Sequence, residues 1–210
     1  MQQSASGQQL PGQSHALAGQ KVAVLIESDY FEPEIFYYRQ RFAEEGAELH
    51  LLTRLWGLPK ITFHGHEYQA PLEVTESFEN MSDEALREYS AIIVPSGIVA
   101  DRLRYTDDIT KLPPATDFLR RAFAEPTIIK GIICHGMWLI APAPELIRGR
   151  RVTAHNNLHG DVINMGGVYV DADVVEDDDL ITGRAGGQAA HFARAIIDRL
   201  AARVPVLAAA

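Results

Sequence analysis

The sequence predicts an α/β domain of three layers, a doubly wound and mostly parallel sheet with helices packed on both faces. Two observations point there. Short continuous apolar runs rich in β-branched residues recur along the chain, at the length of strands buried on both faces. Between them lie longer stretches of helical spacing, with Pro near their starts or Gly at their ends. Alternation of this kind needs crossover connections, which place helices on both sides of one sheet.

Taken in order, residues 1–19 are rich in Gln, Ser and Gly without an apolar period, and are expected to form a flexible leader before a single domain over residues 20–205. The run Val22-Ala23-Val24-Leu25-Ile26 predicts the first strand. Pro33 to Glu45 predicts a helix that stops at Gly46, and Leu49 to Thr53 the second strand. Ile61 to Leu72 mixes β-branched residues with His and Gly and predicts a hairpin. Glu84 to Tyr89 predicts a short helix, and Ala91-Ile92-Ile93-Val94 a central strand ending at Pro95-Ser96-Gly97. Helical spacing from Pro114 to Ala124 precedes a buried strand from Thr127 to Cys134. A short helix from Met137 then stops where Pro142 and Pro144 interrupt it. A short strand at Val152-Thr153, a helix near Asp161 to Met165, strands near Val168 to Val175 and Leu180 to Thr182, and a helix from Gln188 to Arg203 complete the pattern.

With 210 residues, 47% of them hydrophobic, the chain can bury one full core. A net charge of −9 argues against nucleic-acid partners, which need clustered Lys and Arg. No apolar run approaches the roughly 20 residues that cross a bilayer, so no membrane partner is expected. The first twenty positions also lack a basic region followed by an apolar one, and a cytoplasmic protein is expected. The single cysteine, Cys134, excludes an intrachain disulfide and any zinc site built from several thiolates.

A lone Cys is commonly an inert buried hydrophobe. Cys134, however, ends a predicted parallel strand, where ligands bind in open sheets. A helix starting at Gly136 or Met137 would turn its free N–H groups and dipole towards a thiolate and lower the thiol pKa. Gly136 would allow a sharp strand-to-helix elbow of the kind that raises hydrolase nucleophiles. Cys134 is therefore the candidate nucleophile.

The segment Gly131-Ile132-Ile133-Cys134-His135-Gly136 resembles the PfpI/ThiJ superfamily, which includes intracellular proteases, glyoxalase III-type enzymes and the parkinsonism-associated redox protein. The resemblance runs from Lys21 to about Arg203 and implies a flavodoxin-like architecture. Phe31-Glu32-Pro33-Glu34 resembles the acidic pattern that sets a carboxyl group beside the cysteine, with Glu34 in the family position and Glu32 as the alternative. A buried, protonated carboxyl there would hydrogen-bond a thiolate, although both glutamates also read as first-turn acids matched to the helix dipole. Pro95-Ser96-Gly97 stands where the family has Pro-Gly-Gly. The resemblance there implies an oxyanion hole from the amides of Gly97 and His135, with Ser96 and Gly136 at the binding site; a plain strand-ending turn is the alternative.

Asp101, in Asp101-Arg102-Leu103-Arg104, resembles an acid that reaches across a subunit interface to orient the His after the cysteine. That implies a triad of Cys134, His135 and Asp101 in a homodimer or higher homo-oligomer, and a surface ion pair to Arg102 or Arg104 is the plainer reading. The stretch Arg148 to His155 resembles another family segment and makes His155 a second candidate for proton transfer, or else a cap for the next helix. Arg184-Ala185-Gly186-Gly187-Gln188 departs from the Arg-x-Pro-x-Asp pattern common before the last helix. His64 and His66 would point the same way on a strand but lack a third ligand, so neither metal nor cofactor is expected. Tyr30, Phe36, Tyr37 and Tyr38 form an aromatic cluster expected to be mostly core or subunit interface, with Tyr30 or Tyr37 as the alternative lining of a site that would favour apolar substrates.

The expected function is thiol chemistry on a carbonyl-like carbon of a small-molecule or peptide substrate. The reaction is either hydrolysis of an amide or addition to an α-oxoaldehyde followed by hydration. The alternatives are hydration of an isocyanide carbon, and a redox-sensing or chaperone-like stress role in which Cys134 is reversibly oxidised.

Overall fold

The computed structural model describes residues 15–203, so the part of the expected leader before His15 lies outside the described residues. Within the rest of it, Leu17 is fully buried and its N–H donates to the Glu45 carbonyl at 2.9 Å, while His15, Ala18 and Gly19 are exposed.

Strand β1 (Lys21–Leu25) is followed by helix α1 (Glu32–Glu44), β2 (Glu48–Thr53), the hairpin of β3 (Ile61–His64) and β4 (Pro71–Val74), and the edge strand β5 (Glu76–Ser77). Next come α2 (Asp83–Leu86), β6 (Tyr89–Val94), α3 (Val99–Leu103), α4 (Pro114–Phe123) and β7 (Ile129–Ile133). The last third holds β8 (Arg151–Val152), α5 (His159–Asn164), β9 (Val168–Tyr169), β10 (Val174–Asp177), β11 (Leu180–Gly183) and α6 (Ala189–Ala201). The main sheet has seven strands in the order β10-β11-β7-β6-β1-β2-β5, parallel throughout except for the antiparallel β10–β11 edge. This is the doubly wound architecture that the alternation predicts.

The continuous apolar runs become the central strands because both of their faces are covered: Val22 to Leu25 and Ala91 to Val94 are fully buried. From β1 the chain moves to β2 in one direction, and from β6 to β7 in the other. Right-handed crossovers therefore put α1 and α4 on opposite faces. Aromatic contacts lock the α1 face to α6, with Tyr38 packed 6.1 Å from Phe42 and 6.3 Å from Phe192 between ring centres. On α4, Phe118 stacks on Phe78 at 5.5 Å. The reversal of strand order between β1 and β6 opens a crevice at their carboxyl ends, beside the end of β7.

Three local expectations change. The predicted strand over Val168 to Val175 is two strands, β9 pairing with β8 in a separate ribbon and β10 with β11 in the main sheet. The helix predicted over Glu84 to Tyr89 is α2, which ends at Leu86 because Tyr89 already belongs to β6. The segment after Cys134 is a 3-10 helix over Cys134–Ile140, not an α-helix from Gly136 or Met137. No helix among the described residues is long and apolar enough to cross a membrane.

Candidate active site

Strand β7 runs buried to Ile133, and the chain turns at Cys134 with φ of 60°. A left-handed conformation at a non-glycine residue costs about 1–3 kcal/mol and persists only where the surroundings enforce it. Gly136 is part of that enforcement. A Cβ there would lie 2.8 Å from the Val94 carbonyl oxygen, so only glycine lets the turn pack against the end of β6. Gly136 is therefore a packing residue beneath the elbow.

The sulfur is buried at the floor of a cleft of about 400 Å³. His135 Nδ1 lies 3.2 Å from Sγ. Burial pushes the thiol pKa up, outweighing the downward pull of the backbone amides of His135, Gly186 and Gly97, and Glu34 adds to the rise. This reverses the lowering expected from an α-helix dipole, which the 3-10 turn does not supply. His135 shifts the other way: burial, and then the neighbouring His155, hold its pKa below the ordinary imidazole value. Near neutral pH the pair is thus a protonated thiol beside an unprotonated imidazole, the state from which His135 can take the proton as general base.

His155 stacks on His135 with ring centres 4.5 Å apart. Its Nδ1 accepts the Asn157 N–H at 3.3 Å, which leaves the proton of the neutral ring on Nε2. His155 is thus both the cap of the following turn and a wall of the cleft. Trp138 meets the His135 ring edge-on at 4.8 Å from the other side.

Glu34 is buried behind this group. It accepts the Ser96 N–H at 3.1 Å and the Ser96 hydroxyl in a short bond. Burial pushes its carboxyl up to about 7, against the pull of the Ser96 and Tyr38 hydroxyls. Among the described residues it makes no hydrogen bond to Cys134, and its closest partner is Ser96. The role of Ser96 is correspondingly to hold Glu34. Gly97, at φ of +82°, contributes its own backbone amide to the pull that lowers the Cys134 thiol pKa.

Glu32 does something else. It is fully buried and accepts backbone N–H groups of Glu67 and Tyr68, each at 2.8 Å, and of Ala70 at 3.4 Å. Burial pushes its carboxyl up, yet these donors hold it below the usual range. Glu32 latches the loop between β3 and β4, which corrects its placement as the alternative acid. Glu32→Ala is expected to leave these buried donors unpaired and cost about 3 kcal/mol at neutral pH. The loss should shrink as acid protonates Glu32 in the native protein; urea melts at several pH values check both.

Asp101 is exposed on α3 and touches neither His135 nor an arginine among the described residues, while Arg102 pairs with Asp29. Neither expected role of Asp101 is met within one chain. Tyr30 is buried, its hydroxyl donating to the Ala70 carbonyl at 2.6 Å, and lies outside the cleft. Phe31, Ile98 and Trp138 form the apolar walls instead, with Asp29, His66 and Glu67 on the rim. His64 ends β3, and no three His, Cys, Asp or Glu side chains gather in metal-binding geometry among the described residues. Gly186, marked in the sequence only by the glycine pair at 186–187, also lines the cleft.

A profile of the DJ-1/PfpI family matches residues 20–199. A deglycase of Pyrococcus horikoshii is 29% identical over 165 residues, which cover 78% of this chain and 89% of that protein. Protein/nucleic acid deglycase 2 of Escherichia coli is 28% identical over 183 residues, 87% of this chain and 98% of that one. Among solved structures, a two-domain protein of Anabaena variabilis with DJ-1/ThiJ/PfpI-like and ferritin-like domains superposes with a TM-score of 0.75 at 25% identity. The match covers 86% of this chain and 48% of that longer one.

Proposed function

Because the chain belongs to the DJ-1/PfpI family, we propose that it is a deglycase-like or glyoxalase-like enzyme in which Cys134 adds to the aldehyde carbon of a 2-oxoaldehyde. The observation that carries this reading is the placement of Cys134 on a left-handed turn at the cleft floor, with His135 Nδ1 at 3.2 Å from its sulfur. His135 takes the thiol proton as sulfur bonds to carbon, and the carbonyl electron pair moves to oxygen, beside the amides of Gly97 and His135. Protonation of that oxygen gives a hemithioacetal. A base then removes the proton from the carbon bonded to sulfur, and a proton is returned to the neighbouring ketone carbon. The first carbon is oxidised as the second is reduced, which leaves a 2-hydroxy thioester without any outside redox partner. Water cleaves the thioester, releasing the 2-hydroxy acid and the thiol. Where the aldehyde is already condensed with an amine, sulfur replaces the amine, which leaves with a proton.

To His155, on the cleft wall, and to Glu34 we assign the two proton movements, Glu34 because a carboxyl near 7 exchanges protons readily at neutral pH. The small cleft between Phe31 and Trp138 favours a compact carbonyl substrate over a peptide. The names of the Pyrococcus and Escherichia relatives agree with this class. The test is to supply methylglyoxal, methylglyoxal-treated N-acetyl-lysine, and fluorogenic peptide amides to the purified protein. Lactate from the first two is expected. Peptide cleavage without lactate would overturn the proposal in favour of a peptidase.

A further inference from the structure

We propose that the backbone N–H of Gly186 is a third hydrogen-bond donor of the active site, holding the Cys134 sulfur and then the oxygen that becomes negative when sulfur adds to a carbonyl. This rests on Cys134 being the nucleophile. Gly186 lines the same cleft as Cys134 and Gly97, entering it on the loop between β11 and α6. Its N–H enters no backbone hydrogen bond among the described residues, whereas the nearby Gln188 N–H is used by the Ala185 carbonyl at 2.8 Å. Together with the backbone amides of His135 and Gly97 it works against the upward push that burial gives the Cys134 thiol.

The surroundings explain why the position is glycine. A Cβ on Gly186 would come within 2.8 Å of both the Phe31 ring and the Ser96 hydroxyl, the same hydroxyl that holds Glu34. The loop is thereby pressed onto the two segments that carry Glu34 and Gly97. Arg184 pins the loop from behind, donating to Asn156 Oδ1 at 2.7 Å and to the Tyr169 hydroxyl at 3.3 Å. In the Arg-x-Pro pattern that this loop departs from, proline falls at the place of Gly186 when the arginines are aligned. Proline has no N–H to give. The substitution of glycine thus adds a donor to the site, and the departure noted in the sequence acquires a chemical purpose.

The decisive comparison is Gly186→Ala against Gly186→Pro. Both bring a Cβ against Phe31 and Ser96, and only proline removes the N–H. The backbone accepts either, since Ala185 is already extended at φ −153° and ψ 162°, the conformation required before proline. Alkylation of Cys134 by iodoacetamide near neutral pH is expected to be about tenfold slower in the proline variant than in the alanine variant, and methylglyoxal turnover lower by roughly ten- to a hundredfold. Equal rates in the two variants would overturn the proposal.

The native protein supplies a second readout that does not depend on either variant folding. As Cys134 is titrated, the amide resonance of Gly186 should move in step with that of His135, and that of Gly187 should stay. A stationary Gly186 resonance beside a moving His135 contradicts the assignment. Alkylation and resonance shifts report on the thiol itself, so a missing donor is told apart from a failure to turn over oxoaldehydes.

Discussion

Cys134→Ser is expected to lower kcat/KM for methylglyoxal by about three orders of magnitude or more, with little change in melting temperature. The reason lies in what the site does and does not provide. His135, with its pKa held down, is a weak base matched to a thiol; a serine hydroxyl is several units less acidic, and the same imidazole cannot deprotonate it effectively. The N–H groups of His135, Gly97 and Gly186 remain in the variant, so residual activity would measure what the backbone cradle contributes without the nucleophile. Oxygen is smaller than sulfur and the turn at Cys134 is fixed from below by Gly136 against Val94, which is why the fold should persist. A serine variant within tenfold of the native rate would mean that the observed chemistry runs elsewhere.

Glu34→Gln is expected to make the protein more stable above neutral pH and much less active. The Glu34 carboxyl has an ordinary value of 4.5 and is pushed up to about 7 in the fold. Between those two values the native chain keeps a proton that the unfolded chain has released. The stabilising effect of the protonated form is complete below the unfolded value and is lost as pH rises through the folded one. Above that, the buried carboxylate costs on the order of 3 kcal/mol. Gln has the shape of the protonated acid and no charge to bury, and its amide oxygen can still accept the Ser96 N–H. Urea melts should therefore show native and variant close at about pH 5, and the variant ahead by up to about 3 kcal/mol at about pH 8. The same exchange removes a proton carrier and should lower kcat about a hundredfold. A stability gap that is the same at both pH values would show that Glu34 does not titrate as its burial requires.

How far the sequence discloses this protein depends on the range of the interaction concerned. The central strands are legible because burial on both faces demands continuous apolar residues, and Val22 to Leu25 and Ala91 to Val94 provide them. The position of Cys134 at the end of such a run, with His135 and Gly136 following, is equally local. By contrast, Glu32 and Glu34 stand two residues apart in the first turn of α1 and look alike as sequence. Ser96 reaches one and the amides of Glu67, Tyr68 and Ala70 reach the other, and both sets of partners arrive from more than thirty residues away. The 3-10 helix after Cys134 escapes because seven residues cannot separate a three-residue repeat from a 3.6-residue one. Gly186 is hidden for the reason that hides Glu32: its role is defined by Phe31 and Ser96, distant in sequence and in contact in space.

The most direct measurement is the mass of the native protein, with peptide mapping, sampled over the first moments of reaction with methylglyoxal and again after the substrate is spent. The account predicts an adduct on Cys134 that forms early and disappears as lactate is released, while adducts on lysine and arginine side chains do not turn over. Lactate formation with no transient modification of Cys134, or a Cys134 adduct that stays once substrate is gone, would contradict it.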